Sequence, residues 1–305
     1  VNLCPLGAAA FASTGFNLNR TRTQELLGFD GLIENSMDAV STRDFLIESA
    51  SVFSNLMVNL SRMAEEIIIW STPEFDFIEL DDKYASTSSI MPQKKNPDTA
   101  ELVRGKTGSS IGSLTSLLSI CKALPMSYNR DLQEANPNIV DSVNMTSSSV
   151  KIMTGMIEDM RINSNAMFLK AKEGFTTATE LADTLVRVTG IPFRTAHQII
   201  GIIATESEIP TLEKIDGVSQ NVLGKKLSDQ GLTDDMVQEA LDPVLNIKKR
   251  NVIGGPAPDE MHRSIKNCKS KLENDEQKLN ELNSKIESSI DNLFGLVNDC
   301  IKSNN

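Results

Sequence analysis

The sequence predicts an all-α fold, in which a bundle of long helices is followed by a smaller helical C-terminal domain. Two observations predict it: apolar residues recur every three or four positions over long segments, and no comparable segment alternates apolar and polar residues. No glycine-rich phosphate loop follows a strand-like run, so the parallel-sheet nucleotide-binding folds are a poor match. Three long helices within about 120 residues are typical of a bundle.

The first long helix begins at Arg43 and is expected to end near residues 71–73. Its apolar stripe consists of Leu46, Ala50, Phe53, Met57, Leu60, Ala64 and Ile67. The second helix begins where Asn96 can act as the cap and Pro97 suits the first helical position. The third carries apolar residues at helical spacing between Val143 and Met160.

Shorter helices separated by glycine and proline follow, which indicates a second domain. We therefore expect a central long-helix bundle domain at residues 1–165 and a C-terminal helical domain at residues 166–305. The second domain ends in one long amphipathic helix with apolar residues from Met261 to Val297. The polar middle of that helix, residues 273–278, predicts solvent exposure or a contact with a second helix.

The charge balance limits the possible partners. The chain has 30 Lys and Arg against 41 Asp and Glu, a formal net charge of −11, which argues against nucleic acid and membrane partners. The longest apolar runs are too short to cross a bilayer. The 4 cysteines have no CxxC spacing and suit reduced thiols in the cytoplasm better than a zinc site or a disulfide framework. The opening residues 1–7 contain no methionine, so we expect the sequence to begin inside a longer protein.

Residues 81–97, between the first two long helices, have an unusual composition. A run of small and hydroxyl-bearing residues precedes two lysines, Lys94 and Lys95, and then a helix start. Hydroxyl groups, ammonium groups and the N–H donors of a helix N-terminus would then lie close together, which suits an anion site with groups for proton transfer. An ordinary solvated linker with a helix cap is the alternative interpretation of this composition.

The segment Ser88-Ser89-Ile90-Met91-Pro92-Gln93-Lys94-Lys95-Asn96-Pro97 resembles the signature of the fumarase, aspartase and argininosuccinate lyase superfamily. The match is closest to the argininosuccinate lyase family, through the Gln-Lys-Lys form of the signature and through stretches at residues 124–134, 178–183 and 254–258. The resemblance implies reversible cleavage of argininosuccinate to arginine and fumarate, with no metal or organic cofactor. It also implies a homotetramer in which each active site takes segments from three subunits.

The resemblance implies a role for each residue around the signature. The first serine of the pair is the base in the family, which corresponds to Ser88. Lys94 would favour the alkoxide of that serine, and Lys94 and Asn96 would hold substrate carboxylates. Glu101 resembles the carboxylate that pairs with a catalytic histidine from another segment. Lys95 is interpreted as loop scaffold.

Further along the chain, Tyr128 and Gln133 match substrate-binding positions of the family. Arg43 is a weaker candidate, and we expect it to be structural. Two positions depart from the family's pattern: Thr87 stands where many members have glycine, and Asn136 stands where many have a substrate-binding lysine.

Two family segments, Ser-Arg-Asn-Asp and Thr-His, are not found and belong upstream of residue 1. The catalytic histidine is then missing, because His197 and His262 are better explained by packing and surface positions, and we expect this chain alone to be inactive. Two alternatives stay open. One is another fumarate-releasing lyase, acting on adenylosuccinate, aspartate or malate, and the other is a non-catalytic, crystallin-like structural homologue.

Overall fold

Long helices dominate the structure, a computed structural model that describes residues 2–87, 90–91, 95–205 and 210–303. Within these residues there are twelve α-helices, and every strand is two residues long. The prediction of an all-α fold is confirmed. None of the described helices is long and apolar enough to cross a membrane. The chain divides into two compact units, Val1–Ile162 with Asp275–Asn305, and Asn163–Asn274.

The first unit contains the three long helices that the sequence predicts. In chain order its elements are β1 (Leu3–Cys4), α1 (Arg20–Leu26), β2 (Gly31–Leu32), α2 (Ser36–Ser41), α3 (Asp44–Trp70), β3 (Ile78–Glu79), β4 (Ser86–Thr87), β5 (Lys95–Asn96), α4 (Asp98–Cys121), a 3-10 turn (Arg130–Glu134), α5 (Ala135–Asp159), β6 (Arg161–Ile162) and the last part of α12 (Pro258–Ser303). The strands pair as β1 with β2, β3 with β6 and β4 with β5.

Helix α3 buries most of its predicted apolar stripe. The buried members are Ala50, Met57, Leu60, Ala64 and Ile67. Small polar residues join α3 to α4: Ser54 Oγ donates to the Ser110 carbonyl at 3.1 Å, and Thr107 Oγ1 donates to the Met57 carbonyl at 3.0 Å. Because these side chains are short, the two helix backbones can approach closely where they meet.

Helix α4 begins at Asp98, with Pro97 at the N-cap position and no side-chain cap. The predicted cap by Asn96 is wrong, because Asn96 belongs to β5 and is paired with Ser86 in β4. The first turn of α4 carries the carboxylates of Asp98 and Glu101. Negative groups are favoured there by the positive end of the helix dipole.

The second unit is built from shorter helices. They are α6 (Ser164–Lys172), α7 (Ala178–Thr189), α8 (Phe193–Thr205), α9 (Leu212–Leu223), α10 (Asp234–Leu241), α11 (Pro243–Lys249) and the first part of α12 (Pro258–Ser303). The core contains Leu181 and Leu185 from α7, Ile199 and Ile203 from α8, and Ile215 from α9, all completely buried. Their spacing of four along α7 and α8 is what places them on one face of each helix.

A buried carboxylate links two parts of this unit. Glu180 on α7 is only 1% exposed, and it accepts hydrogen bonds from Arg187 Nη2 at 2.5 Å and Arg250 Nη1 at 3.0 Å. Arg250 directly follows α11. This contact ties α7 to the end of α11. Breaking it is costly, because removing one partner of a buried ion pair leaves an uncompensated charge.

The start of α12 is held by a second buried carboxylate, that of Glu260. Arg263 donates to both of its oxygens, at 2.7 and 2.6 Å, and the Gly254 N–H donates at 2.7 Å. These bonds, the Arg263 bonds first, lower the pKa of Glu260 from 4.5 to about 2. The ionised form is therefore favoured in the folded state.

Replacing Glu260 by glutamine should lower stability in a pH-dependent way. We expect Glu260→Gln to melt about 2–4 °C lower at pH 7. Because the folded pKa lies below the unfolded one, the stabilisation is complete above pH 4.5 and is lost as the pH falls towards 2. Thermal unfolding followed by circular dichroism at several pH values would measure this, with Glu273→Gln as the control at an exposed position of the same helix. A melting-temperature difference between Glu260→Gln and the wild type that stays constant as the pH falls towards 2 would contradict this role of the Glu260 carboxylate.

Candidate active site

The signature segment is closed at its base by the strands β4 and β5, which we call the stem. The stem is antiparallel and pairs Ser86 with Asn96 and Thr87 with Lys95. Two of the predicted site residues, Ser88 and Lys94, lie outside the described residues. The stem nevertheless brings the two chain segments that lead to them into direct contact beside the start of α4.

Lys95 is engaged within the base of this segment. Its Nζ lies 2.6 Å from Asp82 Oδ1 and 2.7 Å from Glu79 Oε1, and Arg161 Nη1 lies 3.9 Å from the other oxygen of Glu79. The hydrogen bonds to Asp82 and Glu79 raise the pKa of Lys95, and the Lys95 ammonium in turn lowers the pKa of both carboxyls. This geometry agrees with the interpretation of Lys95 as scaffold.

Asn96 and Glu101 lie at the beginning of α4. Asn96 is half-buried and helps line a small cleft of about 130 Å³. Glu101 stands one turn further on, where its N–H donates to the Pro97 carbonyl at 3.1 Å. Its side chain is exposed, and among the described residues it forms no ion pair. The carboxylate can therefore accept a hydrogen bond from a group outside this part of the chain.

Tyr128 and Gln133 form a second cluster, between the end of α4 and the start of α5. Gln133 Nε2 donates to Tyr128 Oη at 2.9 Å, and both side chains are exposed. The turn that presents Tyr128 is fixed by Asn129, whose Nδ2 donates to the Pro125 carbonyl at 2.9 Å. The phenol and the amide are thus already held together as a polar pair.

A cavity of about 670 Å³ opens where α3 and α5 begin, at the same end of the bundle as this second cluster. Arg43 and Asn136 are among its lining residues. Arg43 Nη1 donates to the Thr42 carbonyl at 2.7 Å, and within the described residues Arg43 has no carboxylate partner. These backbone contacts agree with the structural role expected for Arg43. Asn136 is exposed and uncharged, so the cavity has no lysine at that position.

One copy of the chain does not bring the two clusters together. Asn96 and Glu101 lie at the first turn of α4, whereas Tyr128 and Gln133 follow its last turn. Helix α4 has 24 residues, which at 1.5 Å per residue amounts to roughly 36 Å. A substrate of amino-acid size cannot span that distance.

Comparison with known proteins places the chain in a family. A family model described as Lyase matches residues 1–112, and one described as Argininosuccinate lyase C-terminal matches residues 175–248. The argininosuccinate lyase of Methanosarcina mazei is 65% identical over 98% of this chain, and that of Methanococcoides burtonii is 66% identical over 99%. The chain belongs to the argininosuccinate lyase family. It spans 61% of the length of both relatives.

Solved structures of two other lyases share the fold of this argininosuccinate lyase family member. EDDS lyase in complex with formate has a TM-score of 0.89 and 35% sequence identity, over 99% of this chain and 61% of that one. A class II fumarase from Schistosoma mansoni has a TM-score of 0.58 at 14% identity, over 78% of this chain and 53% of the fumarase, and so shares the fold alone. The resemblance read from the signature segment is therefore confirmed at the level of the family.

Sequence analysis of this argininosuccinate lyase family member missed the residues that hold the stem from outside. Glu79 and Asp82 pair with Lys95, and Tyr84 and Thr99 fix the chain just before β4 through a hydrogen bond of 2.6 Å from Thr99 Oγ1 to the Tyr84 carbonyl. The sequence gives no signal for these partners, because Glu79 lies 16 residues from Lys95 along the chain.

Removing the Lys95 ammonium should loosen the stem. We expect Lys95→Met to raise amide hydrogen exchange in the stem about two- to fivefold at low salt, the range for exposed ion pairs. The difference should shrink at about 1 M salt, because salt screens these charges. Hydrogen exchange followed by mass spectrometry measures this.

Lys83→Met is the matched control, since Lys83 pairs with Asp159 at 3.3 Å and not with the stem. Equal amide exchange in the stem of both variants would contradict the conclusion that Lys95 holds the stem through Glu79 and Asp82.

Proposed function

We propose that the protein catalyses the reversible elimination of argininosuccinate to arginine and fumarate. The observation that carries this proposal is the complete signature from Ser88 to Pro97, in a chain 64–66% identical to four proteins named argininosuccinate lyase. The relative EDDS lyase is less similar, at 35% identity, which favours the argininosuccinate substrate over that of EDDS lyase.

The first step is removal of a proton from the carbon beside a succinyl carboxylate. In the proposal Ser88 accepts that proton, and the carboxylate becomes a dianion. Such a step needs fixed positive groups around the carboxylate, because the charge develops there in the transition state. Lys94 supplies an ammonium group, and Asn96 supplies an amide donor beside the N-terminus of α4. The helix N-terminus adds its own favourable field for an anion.

In the second step the carbon–nitrogen bond breaks, the carbon–carbon double bond of fumarate forms, and the leaving guanidino nitrogen receives a proton. The proposal assigns that proton to a histidine from another segment, with Glu101 as its partner. Glu101 suits this role because its carboxylate is exposed at the first turn of α4. A carboxylate on one imidazole nitrogen orients the ring and raises the basicity of the other nitrogen.

Tyr128 and Gln133 are proposed to bind the substrate from the opposite side. Their hydrogen-bonded pair presents a phenol oxygen and an amide to solvent just before α5, at the end of the bundle where Asn136 lines the cavity. An exposed pair that is already oriented loses little conformational entropy on binding.

We propose that the working enzyme is a homotetramer with shared active sites. The roughly 36 Å length of α4 separates the two clusters of one copy, so a complete site needs a second copy. The outer faces of the long helices support this proposal, because they expose apolar side chains. Examples, each at least 45% exposed, are Val52, Leu102, Ile111, Leu118 and Val140. Contiguous exposed apolar surface is typical of protein interfaces. We place this enzyme of arginine biosynthesis in the cytoplasm.

The activity is tested by following fumarate release from argininosuccinate in the ultraviolet, with the protein expressed from its complete gene. We expect turnover by the wild type and a loss of about 10²–10⁴-fold in kcat for Ser88→Ala, because a general base is removed. Ser89→Ala is the matched comparison and should lose far less. A folded wild type that releases no fumarate from argininosuccinate, adenylosuccinate, aspartate or malate would favour the non-catalytic, crystallin-like alternative.

Shared sites are tested by mixing two inactive variants. Ser88→Ala disables one cluster and Gln133→Ala the other, so a mixed oligomer contains some sites with both clusters intact. Random assortment restores roughly a quarter of the sites. We expect activity to return after the two variants are dissociated and reassembled together, measured by the same fumarate assay.

A mixture of Tyr128→Ala with Gln133→Ala is the control, because both variants disable the same cluster, and it should stay inactive. No recovery in proven mixed oligomers of Ser88→Ala and Gln133→Ala would mean that the two clusters do not come from different copies.

A further inference from the structure

Gly155 lies within α5 near its C-terminal end, and the space where its side chain would be is occupied by another residue. A Cβ at this position would lie 2.7 Å from Cζ of Tyr84 and 3.4 Å from Cε1, and closer still to the hydroxyl oxygen. The tip of the Tyr84 ring therefore rests directly on the helix backbone, in a place that only glycine leaves open. We call this glycine surface the socket of Tyr84.

Tyr84 is also held through its backbone. Thr99 Oγ1, in the first turn of α4, donates to the Tyr84 carbonyl at 2.6 Å, and the Tyr84 N–H donates to the Asp81 carbonyl at 2.9 Å. Thr99 Oγ1 lies 3.1 Å from Sδ of Met156, the completely buried neighbour of Gly155. The start of α4 and the end of α5 thus converge on this one tyrosine.

The position of Tyr84 along the chain gives the contact its significance. It stands two residues before Ser86, the first residue of β4, and β4 leads directly into Ser88. The stem itself has only two residue pairs, Ser86 with Asn96 and Thr87 with Lys95. A strand pair of only two residue pairs is not stable alone. The position of the stem therefore depends on contacts outside it.

We infer that Tyr84 and its socket at Gly155 position the stem, and through it the catalytic base. This inference rests on the proposed function for the role of Ser88. Tyr84 and Gly155 are positioning residues, since neither is placed against the substrate. A displacement of about 1 Å at a reacting group can lower the rate about 100-fold, so a shift of the stem is expected to lower the reaction rate.

A helical glycine with open space around it would respond differently to replacement by alanine. Gly217, in the interior of α9, has no atom within 4 Å of where a Cβ would be. Alanine there should stabilise the helix, because glycine is a poor helix former. At Gly155 the same substitution must displace the Tyr84 ring, so Gly217→Ala is the matched control.

The test compares Gly155→Ala, Tyr84→Leu, their double variant and Gly217→Ala in the protein expressed from its complete gene. We expect Gly155→Ala and Tyr84→Leu each to lower kcat about 10- to 100-fold. The double variant should be no worse than Tyr84→Leu alone, because both changes disrupt the same contact: leucine removes the ring and alanine fills its socket. Tyr84→Phe keeps the ring without the hydroxyl and should recover most of the rate that leucine loses.

Amide exchange in the stem provides a readout that does not need activity. Exchange should rise in Gly155→Ala and Tyr84→Leu and stay unchanged in Gly217→Ala, even if argininosuccinate is not the substrate. A folded Gly155→Ala with unchanged kcat and unchanged stem exchange would overturn the inference, as would additive losses in the double variant. If Gly155→Ala does not fold, Tyr84→Leu and Tyr84→Phe decide the question by the same two readouts.

Discussion

The length of α4 is the constraint on which the rest of the site depends. Its 24 residues form one uninterrupted helix, so the groups at its two ends are held roughly 36 Å apart. Under the proposed shared site, another copy supplies the missing half. The same helix then carries one half-site at each end, and the proposed reaction requires assembly.

The side chains of the bundle agree with the proposed assembly. Ser54 and Ser110 join α3 and α4 beside buried apolar side chains such as Met57 and Leu117, yet other large apolar residues such as Leu102 and Leu118 face outward. Burial of apolar surface is favourable because it removes that surface from water. The long helices therefore gain further burial when their outer faces meet other helices.

The fold was largely predictable, because a long helix leaves a repeating apolar pattern in the sequence, as in the stripe from Ala50 to Ile67. The stem was not predictable, since a ladder of two residue pairs is too short to produce an alternating pattern. Asn96 was therefore interpreted as a helix cap when it is part of β5. The partners of Lys95 were missed for a related reason: Glu79 is 16 residues away in the chain, and only the fold brings it close. The roles of the signature residues came from family resemblance, because composition alone favours an ordinary solvated linker.

The two adjacent lysines of the signature show how the fold resolves what sequence leaves ambiguous. Either could serve an anionic substrate by charge alone, in a chain whose net charge is −11. Lys95 is neutralised by Glu79 and Asp82, so it contributes little positive potential to a bound carboxylate. In the proposed mechanism the positive charge beside the substrate carboxylate therefore comes from Lys94 rather than from Lys95. The amide of Asn96 and the N-terminus of α4 add donors there without adding a full charge.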